Sequence, residues 1–145
     1  MQTTGKPSAL VKPTLDTLFH IDYSWWERSD EDLRTYLISH LPLEQRERLS
    51  QSTENQVVDY VDPDTGEVFQ LDELGLLIQE ASKDADFINP HTSLVDGIFR
   101  VFLANGNVPQ TPKELADRIG RPASLILKTL SGGRIYKGLR PTEIT

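Results

Sequence analysis

TPKELADRIGRPASLILKTLSGG, residues 111–133, is the stretch of this chain that decides the fold. Thr111 and Glu114 have the spacing of a capping box, in which each side chain accepts a backbone N–H at the start of a helix. Pro112 falls at the first helical position, where the N–H it lacks would have no partner in any case. Gly120 can adopt the positive φ that ends a helix sharply. The spacing therefore predicts a helix that begins at residue 112 and ends before Gly120.

A second short helix is predicted directly after Pro122. Ala123, Ile126 and Leu130 would fall on one side of it, because residues three and four apart share a helix face. Ser131, Gly132 and Gly133 then stop the helix. Residues 111–131 are therefore predicted to form two short helices joined at an angle.

The pattern Glu114-Leu115-Ala116, then Ile119-Gly120, resembles the helix-turn-helix superfamily. Ile126 and Leu130 follow the alanine by ten and fourteen residues, which also matches that pattern. Together with a predicted helix over Ser93 to Asn105, residues 92–141 resemble the three-helix core of winged-helix domains.

The resemblance implies DNA binding through the second helix of the pair, which lies in the major groove in DNA-binding members of the superfamily. On a helical wheel anchored at Ile126, the outward residues include an arginine, a serine and a lysine that suit bases or phosphates. A basic segment beyond the helix would add phosphate contacts, with a tyrosine among them. The candidate DNA-binding residues are Arg121, Ser124, Leu125, Lys128, Arg134, Tyr136, Lys137 and Arg140.

The segment GGRIYKGLRP, residues 132–141, leaves two interpretations open. Residues 134–136 and 139–140 could form a minimal wing around a turn at Lys137-Gly138. A single strand that pairs elsewhere in the chain fits the same residues.

The helix Ser93 to Asn105 is apolar around most of its circumference, and Gly106 follows it as a stop signal. A helix of this kind must be covered on two sides. We therefore expect residues 92–145 to pack with the preceding region as one compact unit.

The rest of the chain divides into two predicted parts. Residues 1–17 lack apolar periodicity and are predicted to form an extended or disordered tail, which could become ordered on a partner. Residues 18–91 are predicted to form an acidic helical region. Its elements are a helix capped by Ser29, a β-hairpin at about 56–71 and a helix capped by Asp72 that ends near Lys83. The predicted fold class is α+β, mostly α.

Charge is segregated along the chain, whose formal net charge is −7. Residues 1–109 hold 8 Lys/Arg against 19 Asp/Glu, a net charge of −11, whereas residues 110–145 hold 7 against 3, a net charge of +4. A basic C-terminal third favours double-stranded DNA as a partner, since phosphate binding requires positive surface.

The same sequence is compatible with a protein-protein adaptor subunit that uses the helix pair for docking. Two apolar residues on the second helix and an aromatic cluster near residue 25 are typical of contact surfaces, because aromatic side chains are frequent interface anchors. In an extended segment the two adjacent indoles would face opposite ways, so that one lies in the core and the other is exposed. The candidate protein-interface residues are Tyr23, Trp25, Trp26, Leu125 and Leu127. The partner would be another protein or a second copy of this chain.

Other classes of function are not indicated. The chain has no cysteine, and its three histidines lie in no metal-ligand spacing. Asp62, Asp64 and Glu73 occupy three positions of a calcium-type loop, but the glycine is one place early, and a hairpin turn explains the segment better. No catalytic motif, cofactor, metal or small-molecule substrate is predicted. With no signal peptide or membrane-spanning run, we expect a cytoplasmic protein.

Overall fold

The computed structural model describes residues 12–51, 58–61 and 65–142. Within these residues the fold is α+β and mostly helical, which confirms the predicted class. In chain order the elements are β1 (Phe19–Ile21), α1 (Tyr23–Arg28), α2 (Leu33–Ile38), α3 (Leu43–Gln51), β2 (Val58–Val61), β3 (Val68–Leu71), α4 (Glu73–Ser82), α5 (Leu94–Ala104), α6 (Pro112–Ile119), α7 (Ala123–Leu130) and β4 (Leu139–Pro141).

The chain divides into two compact units. Residues 1–30 and 88–145 form the first, which we call the split unit, and residues 31–87 form the second, which we call the inserted unit. The division falls at residues 30/31 and 87/88, whereas the sequence suggested 17/18 and 91/92. Strand β1 and helix α1 belong with the C-terminal helices because β1 pairs with β4. The predicted packing of the whole chain as one compact unit stays a prediction.

Helix α5 supplies the core of the split unit. Ser93 caps it by accepting the Asp96 N–H, as the sequence predicts. Its side chains are buried around much of the helix, and Gly106 with a φ of +74° follows its end. The buried side chains of α5 are Ile98, Phe99, Val101 and Phe102.

Helices α6 and α7 form where the local signals place them. Thr111 and Glu114 make both hydrogen bonds of the capping box, and Pro112 occupies the first helical position. Gly120 ends α6 in the left-handed conformation with a φ of +70°. The inner faces are apolar, since Leu115, Ile119, Ile126 and Leu130 are all buried. Residues 111–131 are therefore two short helices with a turn between them.

A small antiparallel sheet brings together residues from both ends of the split unit. Strand β1 pairs with β4 in the register Phe19↔Pro141, His20↔Arg140 and Ile21↔Leu139. On its other edge β1 exchanges two backbone hydrogen bonds with Gln110, of 2.8 and 3.0 Å. The predicted minimal wing is therefore wrong, because residues 139–141 pair with β1 and not with residues 134–136. The alternative interpretation, a strand that pairs elsewhere, is confirmed.

The prediction of a helix capped by Ser29 is wrong. Helix α1 begins earlier, because the Asp22 carboxylate accepts the Ser24 N–H at 3.0 Å and caps it. Ser29 is instead the residue that ends α1, and the next helix begins at Leu33 after Asp32.

The inserted unit contains the predicted hairpin. Strands β2 and β3 pair in an antiparallel register from Val58↔Leu71 to Val61↔Val68. Asp72 then caps α4 by accepting the Gly75 N–H at 2.8 Å, and this helix ends beside Lys83, as expected. Two ion pairs, Arg34–Asp72 and Arg48–Glu73, join α4 or its cap to neighbouring helices.

Some predictions concern residues that the structure does not describe. Residues 1–11 of the predicted tail lie outside the described residues, as do Asp62 and Asp64 of the calcium-type pattern. Residues 12–17 are described, and Asp16 there forms a 3.2 Å ion pair with Lys113 at the start of α6. In the described ranges, no group of three acidic or histidine side chains is placed to hold a metal ion. None of the helices in this part of the chain has the length and apolarity that a bilayer crossing requires.

Candidate nucleic-acid interface

The outward face of α7 carries the residues that the sequence assigned to it. Ser124, Leu125 and Lys128 are exposed, and Arg121, in the turn before the helix, is partly exposed. Leu127 is half-buried. The structure therefore places a serine, a leucine and a lysine on the exposed side of one short helix, with a partly exposed arginine in the turn before it.

The segment that follows α7 holds an arginine against an aromatic ring. The Arg134 guanidinium carbon lies 5.3 Å from the centroid of the Tyr136 ring, which is within cation–π distance. Arg134 is exposed, whereas Tyr136 is partly buried. Contact with the ring limits the conformations of the guanidinium. A positive charge is therefore held at the surface four residues after the last residue of α7.

The structure gives Lys137 and Arg140 contacts within the fold. Lys137 has a left-handed φ of +54°, and its carbonyl accepts a hydrogen bond from Trp26 Nε1 at 3.1 Å. The Arg140 guanidinium donates to the Asp22 carboxylate at 3.1 Å. These two residues therefore attach the C-terminal segment to α1, in addition to any contact with phosphate.

Asp22 joins the cap of α1 to strand β4. Burial of its carboxylate acts to raise the pKa of Asp22, but hydrogen bonds from the Ser24 hydroxyl and N–H and the charge of Arg140 outweigh that effect. The pKa of Asp22 is therefore lower than its ordinary value. A lowered pKa means that the charged form is more favourable in the folded protein than in the unfolded chain.

We expect Asp22→Asn to lower the free energy of unfolding by roughly 1 kcal/mol at pH 7, because the ion pair and the charge at the helix start are lost while an amide oxygen can still cap α1. The difference should be constant above about pH 5 and shrink as the pH falls through the pKa of folded Asp22, since the carboxylate is then protonated. Urea denaturation of both proteins at a series of pH values measures it. A difference that grows on acidification would contradict the assignment.

The aromatic cluster lies on helix α1. The prediction that the two indoles face opposite ways assumed an extended segment, and that assumption is wrong. Trp26 is buried, with its ring edge-to-face against Phe99 at 6.2 Å and against Trp25 at 5.1 Å. Trp25 is half-buried, and Tyr23 is the exposed member of the group with 43% of its surface accessible. Of the predicted interface residues on this segment, Trp26 therefore belongs to the core.

Two turn residues of the split unit make long-range contacts that the sequence does not indicate. Asn107, whose φ is +65°, uses its side-chain amide to bond both the N–H and the C=O of Ile21, at 2.8 and 3.0 Å. Gly138 has a φ of +75° and packs directly against α1. An asparagine after a glycine and a glycine after a lysine are ordinary turn signals, and neither indicates which distant residue it contacts.

Charge also divides between the two units. The split unit holds 11 Lys/Arg against 8 Asp/Glu, a net charge of +3, and the inserted unit holds 4 against 14, a net charge of −10. The candidate DNA-binding residues all belong to the positively charged unit.

Comparison of the chain with protein-family models, with curated proteins and with solved structures found no match.

Proposed function

We propose that this chain is a small, non-enzymatic, cytoplasmic DNA-binding protein, a transcriptional regulator or accessory factor. In this proposal α6 and α7 act as a helix-turn-helix pair and α7 enters the major groove. The observation that carries the proposal is the exposed face of α7, which presents Ser124 and Lys128 directly after the partly exposed Arg121, on a unit of net positive charge.

The chemistry of this face suits duplex DNA. A serine hydroxyl can donate to or accept from base edges and phosphates, and a lysine or arginine at this position can reach either a guanine or the backbone. Arg134, held over Tyr136, supplies a further positive charge after the helix. Cationic contacts of this kind produce an affinity that falls steeply with salt, because each phosphate neutralised releases counterions.

The experiment is a salt-titrated gel shift of the full chain with mixed-sequence duplex DNA. The wild-type protein should retard the duplex at low salt and lose the complex as salt rises. Combined Arg121→Ala and Lys128→Ala substitutions should weaken binding by about tenfold or more and make the plot of log K against log salt shallower by roughly two.

A matched control is available in the inserted unit. Arg46→Ala with Lys83→Ala also removes one arginine and one lysine, both exposed, and should leave the DNA affinity close to that of the wild type. Equal losses in the two double variants would mean that only the net charge matters, and that α7 is not the contact element.

The second candidate function is a protein-protein adaptor. The specific observation in its favour is that Leu125 and Tyr23 expose 41% and 43% of their surfaces, although both are large apolar or aromatic side chains. Absence of any complex with duplex DNA at low salt would favour this function over DNA binding. The partner would then be another protein or a second copy of the chain.

A further inference from the structure

Leu125 is the one large apolar side chain that α7 leaves exposed. The two residues that follow it are less accessible: Ile126 is fully buried and Leu127 is half-buried. Leu125 follows Ser124 and precedes Lys128 by three residues, so that all three lie on the outward side of the helix. Leu125 therefore leaves 41% of its surface accessible beside a serine and a lysine.

The polar groups of this face are not all available to a ligand. The Thr129 hydroxyl donates to the Leu125 carbonyl at 2.9 Å, so its hydrogen is used within the helix itself. Ser124 and Lys128 therefore present the polar chemistry of the face, and Leu125 presents the apolar chemistry. A ligand that fits this face must offer negative charge, hydrogen-bonding groups and at least one apolar group in a small area.

Duplex DNA offers that combination at one base. The C5 methyl group of thymine is the apolar feature of the base edges in the major groove, and it lies beside hydrogen-bond acceptors and between two phosphate backbones. The charge of the face is complementary to those phosphates. A leucine side chain on a helix in the groove can cover the methyl group and remove both from water.

We propose that Leu125 is a specificity-determining residue that contacts the methyl group of a thymine in the major groove. This inference rests on the proposed function. It goes further by naming the base feature that is recognised and the side chain that recognises it.

The test compares thymine with uracil, which has the same pairing edge and the same carbonyl but lacks the methyl group. A library of duplexes with 20 random base pairs is enriched for binding to the full-length wild-type chain. The enriched pool is then amplified once with dTTP and once with dUTP. We expect the wild-type protein to bind the thymine pool about fourfold more tightly for each contacted methyl group, the factor that corresponds to about 0.8 kcal/mol per buried carbon.

Two variants test whether Leu125 is the residue that contacts the methyl group. Leu125→Ala should bind the thymine and uracil pools with equal affinity, because the side chain that covers the methyl group is gone. Ile135→Ala removes another exposed apolar side chain of the same unit, outside α7, and should keep the wild-type preference. Leu125 and Ile135 are exposed to a similar extent, 41% and 37%, so both substitutions should lower the melting temperature by a similar small amount, and melting curves of the two variants check this.

The outcomes separate this inference from the proposed function. Retention of the pools by the wild-type protein with equal affinity for thymine and uracil would overturn the methyl contact while DNA binding stands. A thymine preference that persists in Leu125→Ala would assign the contact to another residue and also overturn the inference. Failure of the library to yield any bound duplex would overturn the proposed function itself.

Discussion

Gly138→Ala should lower the free energy of unfolding by roughly 3–5 kcal/mol, a large part of the stability of an ordinary domain. A Cβ at this position would lie 2.9 Å from the Asp22 carbonyl oxygen and 3.0 Å from Trp26 Nε1, and the first of these atoms is backbone. The backbone around residue 138 must therefore move. That movement breaks or weakens the hydrogen bonds from the Asp22 N–H to the Gly138 carbonyl and from Trp26 to the Lys137 carbonyl.

Gly120→Ala is the matched control for this variant. Gly120 has a similar φ of +70°, but a Cβ there would meet no atom within 4 Å. The alanine therefore adds only the cost of a left-handed residue, about 1–2 kcal/mol. Chemical denaturation followed by the fluorescence of the two tryptophans measures both variants. Equal destabilisation would mean that the contact of Gly138 with α1 contributes nothing beyond its φ.

Asn107→Ala should lower the free energy of unfolding by roughly 2–4 kcal/mol. The substitution removes both hydrogen bonds to Ile21, whose side chain is buried, and leaves a backbone N–H and C=O without their partner. It also places an alanine at a φ of +65°, a conformation that asparagine tolerates better. Thermal or urea unfolding measures the total loss.

A second substitution separates the two causes. Asn107→Gly accepts the left-handed backbone without strain but lacks the amide, so it should be about 1–2 kcal/mol more stable than Asn107→Ala and keep the part of the loss that comes from the two hydrogen bonds. Amide hydrogen exchange at Ile21 should accelerate in both variants, because its N–H loses its acceptor. Wild-type stability in Asn107→Gly would show that the side-chain bonds are not important.

The sequence was sufficient where the determinants are local. Helix α6 depends on a capping box and a proline at its start and on a glycine at its end, all within ten residues of one another. Local signals also determine the start of α4, which Asp72 caps, and the two strands of the hairpin. The outward positions on α7 follow from helical periodicity once Ile126 is known to face inward.

The remaining features depend on residues that are distant in the chain. Nothing in Phe19-His-Ile21 indicates that its partner strand lies at 139–141, or that the amide of Asn107 covers part of its other edge. For the same reason the sequence does not indicate the Arg140–Asp22 ion pair, and taken alone it favours a phosphate contact for this arginine. Long-range pairing fixes which basic residues help to hold the fold, and a single sequence gives little information about it.

The insertion of residues 31–87 between α1 and α5 has a consequence for synthesis on the ribosome. Strand β1 is translated well before β4, and the two strands cannot pair until residues 139–141 have left the ribosome. Until then Phe19 and Ile21, both buried in the finished protein, have no completed sheet to enter. The strands of the inserted unit are close in sequence and can pair earlier, whereas the sheet of the split unit forms only after residues 139–141 have been translated.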